Sequence, residues 1–175
     1  MDSNNYMGNL FEYILEGRIQ NKTSKDHFSS LANVVNTVQN DKNKQNGAIF
    51  FVPQDQIQMV LENFPNSDLL NRTIDFAQRC TKTGVPFVIV VTKMDLCEPN
   101  IKKDPNNFNN YGKVRIMLNK TSEIFKISPD RVFPLVTESF VVGDEGKHSL
   151  TKLAYRILES VLIHRSLAEE YDDCW

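Results

Sequence analysis

Pro86-Phe87-Val88-Ile89-Val90-Val91-Thr92-Lys93-Met94-Asp95 decides the fold class. Five apolar residues follow a proline with no polar alternation, and three of them are valine. A run of that length and β-branched content predicts a strand covered on both faces, as in a parallel sheet, and not a half-wet strand. It stops abruptly at a Thr-Lys-Met-Asp turn. The strand's carboxyl end is therefore expected to carry Lys93 and Asp95, and open parallel sheets place ligands at such ends.

Working outward, the same alternation recurs. Upstream, Ser67 is an N-cap with acidic Asp68 behind it. Leu70, Ile74 and Ala77 form a stripe at i, i+4 and i+7, widened by Leu69, Phe76 and Cys80, and Gly84 and Pro86 close that helix. Gln56 to Asn63 reads as one or two helical turns. Before it, Gly47-Ala48-Ile49-Phe50-Phe51-Val52-Pro53 is a second continuous apolar run and a second strand, with Phe50 and Phe51 expected in the core. Downstream of a polar loop, Val114, Met117, Leu118, Thr121, Ile124 and Phe125 repeat at helical spacing, and Ser128-Pro129-Asp130 ends the helix. Val132-Phe133-Pro134-Leu135-Val136 is a third strand. Its internal proline confines it to an edge. Leu150, Leu153, Ala154, Ile157, Leu158, Val161 and Leu162 define a last helix.

Two further stripes lie at the start. Leu10, Phe11, Ile14 and Leu15 form a helix ended by Gly17, and Phe28, Leu31, Val34, Val35 and Val38 form another. The expected organisation is one domain over 1–175, with a helical lead-in (1–46), strand and helix alternation (47–165) and a frayed acidic tail (166–175). The fold class is α/β, a three-layer parallel sheet with flanking helices.

Composition excludes several classes. Over 175 residues the formal net charge is −2, and the longest basic run is Lys102-Lys103, so no basic field for nucleic acid exists. No run of about 18 apolar residues occurs to span a membrane. The polar, acidic start Met1-Asp2-Ser3-Asn4-Asn5 is unlike a signal peptide. Cys80, Cys97 and Cys174 are odd in number and widely spaced, which fits a reducing compartment, and the expected location is cytoplasmic. No metal-ligand spacing is present. Cys97 reads as a small buried residue. His27, His148 and His164 are scattered, and no Ser/His/Asp set or carboxylate pair is spaced for hydrolysis.

Lys93 and Asp95 are the residues most open to a chemical reading. A carboxylate at a strand end can accept two hydrogen bonds side by side. Guanine offers such a pair from its ring N1–H and exocyclic amino group, and adenine does not. Leaving one member unpaired in a sheltered site is costly, so the arrangement discriminates well. The stem of Lys93 could cover one face of a base while its ammonium stays wet. The bland alternative is a solvated strand end.

An apolar strand followed by [Asn/Thr]-Lys-x-Asp resembles the base-recognition motif of P-loop GTPases, here as Val88 to Asp95. The resemblance implies a guanine site formed by Thr92, Lys93 and Asp95. It also implies a backbone N–H from the loop after the third strand, at Val136, Thr137 and Glu138, directed at guanine O6. Thr92 stands where the family prefers Asn, and Val136-Thr137-Glu138-Ser139 departs from the usual Ser-Ala-Lys. More narrowly, Phe11 to Ile19, Ala48 to Pro53, Thr92 to Cys97 and Arg131 to Leu135 resemble the interferon-induced protein 44-like branch. That likeness would imply a role in immune or stress responses.

The phosphate half of such a site is not in the sequence. No G-x-x-x-x-G-K-[ST] occurs to wrap phosphates and hold Mg2+. Gly143-Asp144-Glu145-Gly146-Lys147-His148-Ser149 is too short between its glycines and acidic where phosphate would sit, and it reads as a capping loop. Asp2 and Gly8 lack the spacing of the family's D-x-x-G. The expectation is an incomplete G-domain fold that lacks the phosphate-loop half, with weak or no GTP or GDP binding, no hydrolysis, no catalytic residue and no identifiable Mg2+ site. The alternative is a pseudo-GTPase fragment acting as a protein-interaction module. In the parent fold other strands would cover Gly47–Pro53. The resemblance thus implies a truncated gene product, or a partner or second copy that completes the sheet at this strand.

Overall fold

The structure, a computed structural model, describes residues 13–19, 45–102, 105–136 and 151–163. Among the described residues three strands form one parallel sheet, β1 (Ala48–Pro53), β2 (Phe87–Thr92) and β3 (Val132–Pro134), in the order β1-β2-β3. The register runs from Ala48 opposite Phe87 to Pro53 opposite Thr92, and from Ile89 opposite Val132 to Val91 opposite Pro134. The central strand is the decisive run, and Phe87 to Val91 are all buried. A strand flanked on both sides and covered on both faces has no wet position, which is why it contains no alternation. Pro134 donates no hydrogen bond to a ladder, and β3 lies at one end of the sheet, as its proline requires.

The parallel strands are joined by helical crossovers. α1 (Gln54–Leu61) and α2 (Asp68–Lys82) lie between β1 and β2. α3 (Met94–Cys97) and α4 (Gly112–Phe125) lie between β2 and β3. Residues 151–163 form the last described helix, here α5. On one face Phe87, Ile89 and Val91 pack with Leu70, Ala77 and Cys80 of α2 and with Val114, Met117 and Phe125 of α4. On the other face Val88, Val90 and Phe133 pack with Leu153, Ile157 and Val161 of α5. Side chains alternate across a strand, so consecutive residues of β2 feed two separate cores and build three layers. Each fully buried Val, Ile or Phe contributes about 1.5–3 kcal/mol before chain entropy is set against it.

Local signals place the helix ends. The Ser67 hydroxyl accepts a 3.1 Å bond from the Leu70 N–H and donates to Gln56. At the far end of α2, Gly84 has φ +68°, and the Val85 N–H reaches the Cys80 carbonyl at 2.9 Å, a Schellman closure. Lys126 closes α4 the same way at φ 54°, with the Ile127 N–H on the Ser122 carbonyl at 3.2 Å. The first apolar stripe is seen as a helical turn over 13–15 that ends in the turn at Gly17 and brings Leu15 into the first core.

Several side chains depart from the expected pattern. Leu69, expected on the buried side of α2, is 56% exposed, because the helix turns its Leu70–Ala77 stripe to the sheet and Leu69 falls beside it. Phe51, expected in the core, is 60% exposed. Its neighbours Phe50 and Val52 join the first core, whereas Phe51 points to the opposite face near the end of β1. On α5 only Leu153, Ile157 and Val161 are buried. Ala154, Leu158 and Leu162, read as part of the stripe, are exposed, since one helix face meets the sheet and these residues lie off it. The loop expected after β2 holds α3 and two 3-10 turns, Pro99–Lys102 and Pro105–Asn110. The 28–38 stripe, Asp2 and Gly8, the 143–149 loop, the three histidines and the tail lie outside the described residues.

Candidate binding site at the strand ends

The turn after β2 is built from its own backbone. Thr92 is the last strand residue, and Lys93 adopts a left-handed conformation, φ 59° and ψ 30°, that throws the chain straight into α3. A non-glycine residue there is disfavoured by about 1–2 kcal/mol, so neighbouring bonds must hold it. The Met94 N–H donates to the Leu135 carbonyl at 3.1 Å, and the Leu135 N–H donates to the Val91 carbonyl at 2.7 Å. These two bonds tie the end of β2 to the residues that follow β3. The fully buried Met94 side chain anchors the turn in the first core.

Asp95 is thereby fixed in the first turn of α3 with no exposed side-chain surface. Its Oδ2 lies 3.6 Å from Nζ of Lys102, whose side chain is 26% exposed. The strand end is thus not a solvated one at Asp95, which corrects the bland reading of that residue. Lys93 is exposed, Thr92 is half-buried, and Val136 is buried just beyond β3. The structure accordingly brings Thr92, Lys93, Asp95 and Val136 to one end of the sheet. Thr137 and Glu138 lie outside the described residues.

Lys102 is the residue that sequence reasoning missed. It entered only as half of the longest basic run. It belongs to the site because the turn Pro99–Lys102 folds back over α3. The Glu98 N–H donates to the Met94 carbonyl at 2.9 Å, the Ile101 N–H to the Glu98 carbonyl at 3.1 Å, and the Tyr111 hydroxyl to the Asn100 carbonyl at 3.1 Å. Ile101, fully buried, pins the turn to the first core. The available signal was an apolar residue flanked by prolines and asparagines beside a lysine seven positions after Asp95, too short a pattern to predict a fold-back.

A buried carboxylate facing one ammonium gains attraction in a low-dielectric setting and loses hydration in return. Such a pair fixes geometry more surely than it adds stability. Asp95 is therefore a pre-oriented acceptor that already faces a cation.

On the other side of α3 a cleft of about 460 Å3 opens between α1, α3 and α4, lined by Gln54, Gln58, Leu61, Leu96, Cys97 and Lys113 among others. Burial pushes the Cys97 thiol above its ordinary value, with Lys113 opposing the shift. It stays a protonated, weakly nucleophilic group at neutral pH. Among the described residues no group of three or more His, Cys, Asp or Glu side chains could hold a metal ion. No helix among them is long and apolar enough to cross a membrane.

Searches against family models, curated proteins and solved structures found no match to this chain.

Proposed function

We propose that this chain carries a guanine-recognition site of the GTPase type, without the phosphate-binding half, and so binds GTP or GDP weakly or not at all and does not hydrolyse GTP. The observation behind this reading is the Asp95 carboxylate, held rigidly at the carboxyl end of the central strand by the Lys93 turn and the Met94–Leu135 bond. That is where an open parallel sheet presents a ligand, and a fixed carboxylate suits the paired N–H donors of guanine. Lys93, exposed beside it, is free to lay its stem along a base. Most nucleotide affinity and all phosphoryl chemistry in such sites come from phosphate contacts. This sequence supplies no loop for them.

The test is a titration with fluorescent GDP, GTP and ATP analogues, with and without Mg2+, on the wild type and Asp95→Ala. Any binding should prefer guanine over adenine and disappear in Asp95→Ala. Binding that is indifferent to the base, or Mg2+-dependent turnover that needs Asp95, would overturn the reading.

A second reading, an interaction module, is favoured by Phe51. This side chain is 60% exposed on β1, the strand at the other end of the sheet from β3. An apolar end strand can take on another chain, whether a partner or a second copy. Sedimentation of the wild type against Phe51→Lys tests it. A self-association that the variant abolishes supports the module, and monomers in both cases remove self-association from it.

A further inference from the structure

We infer that Lys102 is an internal competitor for the base site, closing the Asp95 carboxylate until a guanine displaces it. The inference rests on the proposed guanine reading and adds its regulation.

Recognition of the guanine edge uses both oxygens of one carboxylate. In this structure Oδ2 faces the Lys102 ammonium at 3.6 Å, and the Asp95 side chain has no exposed surface. The neutral donors of a base cannot pull a cation away from a buried carboxylate without compensation, because the ammonium interacts with its full charge in a medium of low dielectric. Base and ammonium are therefore alternative occupants of the same acceptor.

The lysine is held for this role by its surroundings. Ile101, adjacent and fully buried, sets the direction of the turn. The Glu98 side chain accepts from the Asn100 backbone N–H at 3.2 Å and from its amide at 3.1 Å, so the turn Pro99–Lys102 is internally braced. The Tyr111 hydroxyl braces it from the following segment. Opening the site requires the lysine side chain to leave, with Ile101 still anchored. The part of Lys102 that is still exposed gives its ammonium a path to water.

If the closed form dominates by roughly tenfold to a hundredfold, the apparent dissociation constant is raised by that factor, and removing the lysine lowers it again by the same amount.

The deciding experiment uses guanosine, which carries no phosphate, so loss of a lysine cannot weaken binding through phosphate attraction. Guanosine and adenosine affinities are measured on the full chain for wild type, Lys102→Ala, Lys102→Met and Asp95→Asn/Lys102→Ala, with thermal melts to show each is folded. Lys102→Met keeps the apolar stem if the alanine variant does not fold. The expected result is guanosine binding about tenfold or more tighter in the Lys102 variants, adenosine unchanged, and the gain lost in the double variant. Guanine-selective binding by the wild type that is equal or weaker in both Lys102 variants overturns the competitor role and leaves the base site standing. No guanosine binding by any folded variant overturns both the competitor role and the guanine-recognition site, and leaves only the lack of GTP hydrolysis standing.

Discussion

The Arg131 side chain donates two hydrogen bonds to one acceptor, the Phe87 carbonyl, from Nε at 3.0 Å and from Nη2 at 2.6 Å, and its guanidinium lies 4.8 Å from the centroid of the Phe87 ring. The residue before β3 is thereby tied to the first residue of β2. Burial pulls the guanidinium below its ordinary value, with Asp130 and Cys80 opposing, and it stays charged at any physiological pH. Arg131→Ala removes two charge-assisted bonds and a cation–π contact, and should lower the unfolding free energy by about 2 kcal/mol. Lysine cannot reproduce the fork, so Arg131→Lys should recover less than half. Urea denaturation measures both. An alanine variant within about 0.5 kcal/mol of wild type would mean that this tie contributes nothing beyond an ordinary surface contact.

Gly47 precedes β1 at a place where the backbone meets α5. A Cβ there would run into Cγ1 of Val161 and lie 3.3 Å from the Pro86 carbonyl oxygen. Gly47→Ala should destabilise the fold by about 1–3 kcal/mol through overpacking. Val161→Ala in the same chain should restore part of that loss, because the two sites share one space. A double-mutant cycle with additive effects would show that they do not couple.

Cys80 is buried between α2 and the sheet, and desolvation pushes its thiol from 9.0 up to about 12, with Arg131 opposing. The folded state therefore holds this proton more tightly than the unfolded state. Its stabilising contribution is complete below pH 9 and is lost as the pH rises from 9 towards 12. The wild type should lose more stability across that window than Cys80→Ala does, as read by urea melts at each pH. At pH 8 a thiol reagent should leave Cys80 unmodified in the folded protein and modify it once urea unfolds the chain. Parallel pH curves for the two proteins would contradict the shift.

Lys126 ends α4 in a left-handed conformation, φ 54°, that glycine adopts without strain. Its side chain is exposed, so little packing is lost on replacement. Lys126→Gly should stabilise the protein by about 0.5–1 kcal/mol, a rise of roughly 2–4 °C per kcal/mol in the melting temperature. A lower melting temperature would mean that unfolded-state entropy outweighs the relieved strain.

Much of the architecture was legible because it depends on runs and periods that a sequence displays directly. The unbroken, valine-rich Phe87–Val91 run bounded by Pro86 suits a doubly covered strand, and it is one. Pro134 had to lie at a sheet end, Ser67 caps α2 through its hydroxyl, and Gly84 ends that helix. Exposure was less legible. Phe51 and Leu162 read as core because they sit within apolar patterns, yet the described layers do not extend over these side chains, and 60% and 59% of their surfaces are open. Which side of an apolar helix or strand is covered depends on how many layers surround it, and no single element encodes that.

The same division runs through the site. The sequence alone determined that Thr92, Lys93 and Asp95 follow a buried strand, because an apolar run ending in a polar turn has one geometry in a parallel sheet. Only the tertiary structure decided that Asp95 is buried, that the residues after β3 are bonded across to its turn, and that Lys102 faces its carboxylate at 3.6 Å. Those relationships join residues whose separation in the chain carries no periodic signal. They arise from Ile101 and Met94 seeking the same core, which folds the segment back and carries a lysine to a carboxylate that no local pattern would have paired with it.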